Sequence, residues 1–424
     1  MEIAWRSLEV VLLVAASATT VYYLMALQRI VRGQFAQPTL RAARALAAKR
    51  TQWPRLVVVV PAHNEEGVIE HCARTLLESD YPDLCIVFAL DRCTDGTASV
   101  IDRVAQAHEA GAVRLEVCMI AHCPDDWAGK THALHRGYRD AKLVEGAELV
   151  LFCDADTNFE PDALRAAVAL MMDRKIDLLS LLPTLTQGTW FERMVQPAAG
   201  LELIRQFPLD RVNAPGTRRH FANGQFMLWR REAFDAIGGH ERVKSELLED
   251  IALARALHKP IRPARTPSPY RAGCFMADGL MYCRMYANWG QFKRGWKRIY
   301  AEAARRYPGQ LRRHARRLRV VGTFAPMLAL SAVCLGGVRG GSGLGLGLVV
   351  VGAVGLLVFG LAIGLVLRAQ RARIGWVLAY PIGAWCVSRL MFEAARDLEQ
   401  DRPTEWGGRS YSRARAEHNE RAAQ

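Results

Sequence analysis

Uncharged runs of two lengths alternate with polar segments along this chain. Three runs are long enough to span a bilayer as helices: Val10 to Leu27, Val320 to Val338 and Gly343 to Leu367. A fourth, Ile374 to Val387, offers only fourteen uncharged residues and contains Pro381, so it is marginal as a span. If it crosses the membrane, the C-terminal tail lies outside. If it is interfacial or re-entrant, the tail stays with the soluble region.

Shorter apolar runs alternate with segments of helical periodicity between the outer runs. Strands are predicted at Leu56 to Val60, Leu84 to Leu90, Val113 to Ile120 and Ala147 to Cys153, and helices over 68–78 and about 98–110. The first run is continuous and mostly β-branched, as in strands that are covered on both faces. This order predicts an α/β fold with a parallel sheet and with ligands beyond the carboxyl ends of its strands.

Two carboxylates, Asp154 and Asp156, come directly after the fourth predicted strand. Side chains at i and i+2 of an extended chain point the same way, so both can present oxygens to one spot. Mg²⁺ or Mn²⁺ takes such hard ligands, together with water and substrate phosphates. The pair therefore predicts a metal that holds a diphosphate. Taken alone the motif is weak, because Asp-x-Asp also occurs by chance in loops and caps.

Polar residues at two other strand ends fall on the same predicted edge. Asn64 lies after the first strand, and Asp91 and Asp95 lie after the second. Asn64 can instead cap the next helix, and Asp95 with Gly96 can form a turn and an N-cap. Carboxylates from three strand ends would repel each other without a cation, so their convergence favours a site.

The formal charge of +14 is concentrated beside the predicted spans. Arg29 and Arg32 lie just after the first run, so the positive-inside bias places the next part of the chain in the cytoplasm, behind an uncleaved anchor. Between Lys293 and Arg319 there are eleven Lys or Arg and one acid, a juxtamembrane segment suited to anionic lipids. Nucleic acid is the less favoured partner because spans adjoin this segment. The ten cysteines form no C-x-x-C pair and indicate a reduced cytoplasmic domain.

Five ordered motifs resemble family 2 glycosyltransferases of the GT-A fold, over roughly residues 55 to 300. They are VVVPAHNEE at 58–66, DRCTDGT at 91–97, GKTHAL at 129–134, DAD at 154–156 and LED at 248–250. The resemblance implies transfer of a sugar from a nucleotide diphosphate donor, usually a UDP-sugar, with inversion at the anomeric carbon.

The resemblance also implies roles for individual residues. The donor-side residues are Pro61, Ala62, Asn64 and Glu65 for the uridine, Asp91 for the nucleoside, Asp95 beside it, and Lys130 for the phosphates. Asp156 is the main implied metal ligand and Asp154 assists it. Asp250, next to Glu249, is the implied catalytic base, and an acceptor hydroxyl does need a carboxylate to take its proton. Alone, Glu249 and Asp250 would indicate an ordinary solvated acidic patch. Gln225 and His240 are weaker acceptor-side candidates.

The segment before the second apolar run departs from the processive members of that family. These carry Gln-x-x-Arg-Trp, whereas Gln291 to Trp296 has an extra glycine before the tryptophan. Arg294 and Trp296 remain acceptor-side candidates, but polymer synthesis is in doubt. Aromatic residues from Tyr282 to Tyr300 recur at three and four and predict an amphipathic helix suited to the headgroup boundary, with a core-facing stripe as the alternative.

The C-terminal residues Trp406 to Tyr411 resemble the Trp-x-Gly-Arg-x-Tyr ending of a subgroup that includes hopanoid-associated, carotenoid and ceramide-type glycosyltransferases. This ending favours a lipid acceptor and a re-entrant fourth run. The predicted division is an anchor at 1–30, a GT-A domain at 52–300, a basic segment at 301–319, a transmembrane or re-entrant region at 320–392 and a polar tail at 393–424.

The sequence therefore predicts a multi-pass protein of a bacterial-type inner membrane with a cytoplasmic active site. Its expected function is metal-dependent transfer of a sugar to a membrane lipid or terpenoid. Two alternatives stay open: a synthase of an exported polysaccharide, and a non-catalytic membrane protein that binds a nucleotide sugar or a lipid. A transporter is not favoured, because no predicted span carries a clear ionisable pair.

Overall fold

The structure, a computed structural model, describes residues 2–35, 37–108, 113–217, 219–258, 270–339, 341–406 and 409–411. It divides into two compact units. The helical unit comprises residues 1–36, 187–210 and 288–402, and the sheet unit comprises residues 37–186, 211–287 and 403–424.

Helices occur in both units, and all the strands of the described residues lie in the sheet unit. The helices are α1 (Glu2–Ile30), α2 (Arg44–Ala47), α3 (Ile69–Leu77), α4 (Thr97–Ala107), α5 (Gly129–Asp140), α6 (Ala163–Arg174), α7 (Trp190–Met194), α8 (Gln196–Gln206), α9 (Leu209–Val212), α10 (Arg231–Ala236), α11 (Glu249–Ala256), α12 (Trp289–Ala303), α13 (Pro308–Leu318), α14 (Ala325–Val338), α15 (Gly343–Ala369) and α16 (Tyr380–Glu399). The strands are β1 (Leu56–Ala62), β2 (Leu84–Asp91), β3 (Arg114–Ile120), β4 (Leu149–Cys153), β5 (Thr157–Phe159), β6 (Leu178–Leu182), β7 (Thr184–Leu185), β8 (Phe226–Arg230), β9 (Ala272–Met276), β10 (Met281–Cys283), β11 (Thr404–Trp406) and β12 (Arg409–Tyr411).

The sheet unit is built on a seven-stranded sheet in the order β3-β2-β1-β4-β8-β6-β9. The first four strands in this order are parallel, and β8 is antiparallel to both of its neighbours. The predicted α/β class, the four predicted strands and their parallel arrangement are confirmed. The other half of the sheet was not predicted, because β6, β8 and β9 are short apolar runs without a clear alternation.

Strand β1 is buried on both faces, as its continuous apolar run predicts. Val58 and Val60 point into the core formed with α3, α4 and α6, while Val57 and Val59 point into the core formed with α5 and α11. Beyond Val59, β1 no longer pairs with β4, so Pro61, which lacks a backbone N–H, lies where only β2 is its neighbour.

Helix α5 approaches the sheet closely at Gly137. A Cβ atom there would lie 2.8 Å from Cγ1 of Val59 and 2.9 Å from Cβ of Ala89. Only glycine allows this approach, which sets the depth of the whole helix. The first turn of α5, with Gly129 and Lys130, is thereby positioned at the carboxyl edge of the sheet.

In the helical unit, α1, α14 and α15 pack together through small residues. A Cβ on Gly352 of α15 would lie 2.6 Å from the carbonyl oxygen of Ala329, and one on Gly355 would lie 2.7 Å from Oγ1 of Thr20. Close backbone approach of this kind is typical of helices that associate in lipid. Among the described residues, four helical stretches are long and apolar enough to cross a membrane: Trp5–Gly33, Pro308–Val338, Gly343–Ala369 and Ile374–Glu399.

The fourth apolar run differs from its sequence-based outline. A short 3-10 segment, Ile374–Ala379, leads into α16, which continues to Glu399. Helix α16 packs beside the arginine-rich α13: Ser388 Oγ donates to the carbonyl oxygen of Ala315 at 2.9 Å, and Arg312 pairs with Glu399 at 2.5 Å. Helix α16 therefore lies next to α13, the basic helix at the start of the second stretch, Pro308–Val338.

The expectation of an aromatic helix at the headgroup boundary is wrong for its central residues. Tyr282 lies in strand β10, and α12 begins only at Trp289. Phe292, Trp296 and Tyr300 are at most 2% exposed, and the Tyr300 hydroxyl donates to the carbonyl oxygen of Ala199 at 3.0 Å. The alternative of a core-facing stripe holds here, because spacing alone shows which side is apolar and not what covers it.

We expect Gly137→Ala to destabilise the protein by about 1–3 kcal/mol, because the added methyl group overlaps Val59 and Ala89. Thermal unfolding of the detergent-solubilised protein, monitored by tryptophan fluorescence, measures the effect. Gly67→Ala is the matched control, since a Cβ there meets nothing within 4 Å. Equal melting temperatures for the two variants would contradict the close approach of α5.

Candidate active site

A lysine at the start of α5 brings two distant acidic motifs together in the sheet unit. The Nζ atom of Lys130 lies 2.7 Å from Oδ1 of Asp154 and 2.8 Å from Oε1 of Glu249. Asp154 lies just after β4 and Glu249 opens α11, so almost a hundred residues separate them. The lysine thus links the acidic motif after β4 to the acidic motif that opens α11.

Gly224 makes room for this cluster. A Cβ atom there would lie 3.0 Å from Nζ of Lys130, 3.1 Å from Oε1 of Glu249 and 3.3 Å from Oδ2 of Asp250. Its backbone N–H donates to Oδ2 of Asp250 at 2.8 Å. The glycine therefore lets the backbone act as a donor at the centre of the acidic motifs.

The charges in the cluster shift each other's protonation. Burial by itself lowers the pKa of Lys130, but the carboxylates of Asp154 and Glu249 outweigh it and raise that pKa above its ordinary value. Burial, with Glu249 nearby, raises the pKa of Asp250 to about 7. Burial also raises the pKa of Glu65 to about 7, with Asp154 and Asp95 adding to the shift. Perturbation of this kind is typical of functional sites.

Asp250 has the environment of a general base. Its Oδ1 accepts from the backbone N–H of Ile251 at 2.7 Å and its Oδ2 accepts from that of Gly224, so the carboxylate is fixed in place. Burial with Glu249 raises its pKa, and these two hydrogen bonds oppose that shift because they favour the ionised form. A carboxylate whose pKa lies near neutral pH can take a proton and remain available as a base.

The surroundings of Asp154 and Asp156 show whether the pair fits a metal ion. Asp156 Oδ1 is buried and, within the described part of the chain, has no hydrogen-bond partner. Burial and the neighbouring Asp154 raise the pKa of Asp156 to about 7, a cost that a cation would relieve. The described residues contain no cluster of three or more His, Cys, Asp or Glu with metal-binding geometry. The pair fits a cation that takes its remaining ligands from phosphates and water.

Two of the predicted donor-side residues, Asn64 and Asp95, make hydrogen bonds within and to the 91–97 loop. Asn64, at φ 58°, accepts from the backbone N–H of Thr94 at 2.8 Å, so it holds the 91–97 loop and does not cap α3. Asp95 accepts from the backbone N–H and hydroxyl of Thr97 at the start of α4. For Asp95, the alternative of a turn with a cap therefore holds. A donor contact by either residue stays a prediction.

Asp91 carries a partner that its motif did not predict. The guanidinium of Arg92 binds both of its carboxylate oxygens, at 2.9 and 2.6 Å, and the Asp91 side chain is only 3% exposed. A Cβ on Gly129 would lie 3.3 Å from Nη2 of Arg92, so the lack of a side chain at this glycine leaves space for the guanidinium group. Pro61 and Ala62 lie at the end of β1 on the same edge.

Two acceptor-side candidates are buried in the sheet unit. His240 is 1% exposed between the rings of Phe152 and Phe234, and burial lowers its pKa to about 3. Gln225 is 6% exposed, and both ends of its amide bind protein groups. Burial in the aromatic core and saturation of the amide argue against direct acceptor contact by these side chains.

The other two acceptor-side candidates belong to the helical unit. Arg294 is exposed, while Trp296 packs between Phe292 and Tyr300 in the interior of that unit. In the C-terminal motif, the hairpin of β11 and β12 contains Trp406 and Arg409. Gly407 and Gly408 of that motif lie outside the described residues.

Two residues with clear roles in this geometry were missed from the sequence: Arg92 and Gly224. Arg92 belongs to one of the five motifs, but the motif gave it no role. Gly224 stands in the segment before β8, and its closeness to α11 leaves no mark on the sequence.

Comparison with known proteins decides the family. A model of glycosyl transferase family 21 matches residues 10–261. The chain belongs to glycosyl transferase family 21. The expectation of a glycosyltransferase is thus confirmed, while the matching family carries the number 21 and not 2.

Individual relatives of this glycosyltransferase have low sequence identity to it. A 4,4'-diaponeurosporenoate glycosyltransferase of Staphylococcus aureus (strain bovine RF122 / ET3-1) is 25% identical over 229 residues, which cover 53% of this chain and 57% of the relative. The chain thus spans little more than half the length of the curated relatives it matches.

Solved structures with a similar chain path are also distant. A mannosyltransferase from Pyrobaculum calidifontis in complex with GDP-Man and Mn²⁺ is 17% identical, with a TM-score of 0.46 over 92% of this chain and 99% of that one. S. aureus TarS 1-349 in complex with UDP-GlcNAc is 13% identical, with a TM-score of 0.40 over 84% and 95% of the two chains.

We expect Lys130→Met to destabilise the protein by about 3–5 kcal/mol, because it leaves Asp154 and Glu249 facing each other without a cation. The loss should be larger at pH 8 than at pH 5, since the neighbouring Asp250, whose pKa is raised to about 7, is protonated at the lower pH and then adds no negative charge to the pair. Thermal unfolding at the two pH values measures both effects. Lys130→Arg is the control that keeps the charge, and a pH-independent loss in Lys130→Met would count against the cluster.

Proposed function

We propose that this family 21 enzyme transfers a sugar from a UDP-sugar to a membrane lipid or terpenoid, with inversion at the anomeric carbon. The observation that carries the proposal is Lys130 between Asp154 and Glu249. It brings the diphosphate-side carboxylates and the candidate base to one spot, as a single displacement at the sugar requires.

The donor end of the site is assigned to Asp156, Asp154 and Lys130. Asp156, whose buried Oδ1 has no hydrogen-bond partner among the described residues, would bind a divalent cation. Asp154 would bind the same cation once Lys130 turns from Asp154 toward the donor phosphates. When bound, Mg²⁺ or Mn²⁺ supplies charge stabilisation for the departing diphosphate. Lys130 adds a second positive charge next to the same phosphates.

The acceptor end is assigned to Asp250. Its carboxylate takes the proton of the acceptor hydroxyl while the oxygen attacks the anomeric carbon, and Gly224 holds it in position through its backbone N–H. Attack from the face opposite the leaving diphosphate inverts the anomeric centre. Glu249 is bound to Lys130, so it is assigned to orient the lysine and not to accept the proton.

A lipid or terpenoid acceptor is favoured by the spanning helices of the chain itself. A substrate dissolved in the bilayer is reached most directly by an enzyme anchored there. The name of the relatives, 4,4'-diaponeurosporenoate glycosyltransferase, denotes an apolar acceptor of this class for those proteins. The arginines at the end of α1 and in α13 support a cytoplasmic location of the site in a bacterial-type inner membrane.

The decisive test is UDP release by the purified full chain in native lipid extract, with several UDP-sugars and Mn²⁺ or Mg²⁺. We expect metal-dependent release with a labelled product that is soluble in organic solvent. Asp250→Asn should lower the rate of UDP release by at least about a hundredfold, since it removes the general base. Asp156→Ala should abolish the metal-dependent release of UDP. Asp173→Asn, an exposed acid far along the chain from these motifs, is the matched control.

The pH profile separates the role of Asp250 from a merely structural one. The rate should rise with pH, reach half its maximum near pH 7 and level off about one pH unit higher, because the base works only when ionised and its pKa is raised to about 7. A water-soluble polymer as product would favour the polysaccharide synthase. UDP binding without release of UDP from any donor would favour the non-catalytic protein.

For the membrane topology, we propose three crossings, by α1, α14 and α15, with α16 in the cytoplasmic interface beside α13. A fluorescent protein fused after Gln424 should therefore fluoresce, while a cysteine placed at Gly341 should react with an impermeant maleimide from outside the cell. The control is a cysteine at Lys49, which should be protected. A dark C-terminal fusion with a labelled tail would show that α16 crosses.

A further inference from the structure

An arginine at the junction of α13 and α14 packs against two aromatic rings of α16. The guanidinium carbon of Arg319 lies 4.3 Å from the ring centroid of Trp385 and 4.7 Å from that of Phe392. The two rings are about two turns apart on the helix. On the turn between them, Oγ of Ser388 accepts from Nε of Arg319 at 3.1 Å. Two cation–π contacts and one hydrogen bond therefore fix the position of this guanidinium.

The backbone that carries this arginine is also held against α16. It is a π-helical segment, Arg319–Phe324. A Cβ on Gly322 would lie 2.6 Å from Cβ of Ala384, so only glycine allows the close approach of the two elements there. Oγ1 of Thr323 donates to the carbonyl oxygen of Pro381 at 2.9 Å. Single π-helical turns within longer helices are frequent at functional sites.

The outer edge of the guanidinium is left for another partner. Arg319 is partly exposed, and within the described residues its Nη1 and Nη2 atoms donate to no protein group. Because the rings and Ser388 fix the guanidinium, these two nitrogens form a pair of donors with a set direction. Two parallel N–H groups of this kind match two oxygens of a phosphate.

The surroundings of Arg319 fit the phosphate of a lipid better than a free phosphate ion. Arg319 is the last charged residue before the apolar part of its stretch. Next to it, Val320 is 55% exposed, Phe324 is 49% exposed and Trp385 is 40% exposed, and the two rings lie 6.0 Å apart. The donor pair thus borders an exposed apolar surface. A phospholipid presents a phosphate and apolar chains side by side, whereas a free phosphate ion gains nothing from such a surface.

We propose that Arg319 binds the phosphate of an anionic membrane phospholipid through Nη1 and Nη2, with Trp385, Phe392 and Ser388 as positioning residues for the guanidinium. The bound lipid fixes the junction of α13 and α14 at the depth of the headgroups, where tryptophan is also favoured. This site is separate from the proposed sugar transfer, whose residues lie in the sheet unit, so the two proposals can fail independently.

The test titrates the purified full chain in neutral detergent with dioleoyl phosphatidylglycerol and counts the bound lipids by native mass spectrometry. We expect one tightly bound lipid on the wild type. Arg319→Gln should raise the Kd of that lipid about ten- to a hundredfold, because a charge-assisted contact through two N–H groups is lost. Arg319→Lys should raise the Kd about tenfold, because an ammonium group keeps the charge but not the paired geometry.

The matched control is Arg316→Gln, which removes the same charge from an exposed position of the neighbouring basic helix. It should raise the Kd at most about fivefold, the effect of one charge near an anionic surface. Equal losses in Arg319→Gln and Arg316→Gln would show diffuse attraction and overturn the site.

Two further measurements keep the proposal open to refutation. If Arg319→Gln does not fold, wild-type lipid affinity in folded Arg319→Lys would decide against the paired contact. Inorganic phosphate in large excess should leave the lipid in place, and its displacement of the lipid would overturn the assignment to a phospholipid. A wild-type chain that retains no phosphatidylglycerol would also refute the proposal.

Discussion

The architecture of the site depends on one constraint: three carboxylates, one buried and two partly buried, lie around a single ammonium group. Asp154, Glu249 and Asp250 come from different elements, and in a medium of low polarity their mutual repulsion must be offset. Lys130 does this from the first turn of α5. The elements that carry these residues are therefore held together at one edge of the sheet by charge as well as by packing.

Two glycines make that arrangement possible. Gly137 lets α5 lie deep on the sheet, which sets where Lys130 begins, and Gly224 leaves space for the lysine and the two acids of α11. A side chain at either position would separate the cation from the carboxylates or force the helix outward. Precise electrostatics at the site thus rest on the absence of a methyl group at two points of the backbone.

The ammonium group of Lys130 links the stability of the folded protein to the proposed chemistry. In the structure Lys130 neutralises Asp154, which is the task that a bound metal ion would take over. A site that already balances its charges without ligand can exchange the lysine for a divalent cation at modest cost. Asp156 is different, because among the described residues one of its oxygens, Oδ1, is buried without a hydrogen-bond partner.

The sequence by itself determined the elements and the chemistry that local pattern encodes. The run Leu56 to Val60, the alternation of strands and helices, the apolar spans and the acids at strand ends are one-dimensional signals, and they led to the fold class and the glycosyltransferase motifs. Period and composition show which side of an element is apolar and which residue types are available. For this reason the parallel half of the sheet was predictable.

Only the tertiary structure decided what covers each side chain and which atom it binds. His240 and Trp296 are buried by side chains that packing brings together, and the Gln225 amide binds Cys283 from another strand. The guanidinium of Arg92, a residue with a left-handed backbone conformation, binds the Asp91 carboxylate. Lys130 binds Glu249 from 119 positions along the chain, as the numbering in the sequence shows. Such contacts leave no periodic trace, because they are set by how elements pack and not by the order of residues within one element.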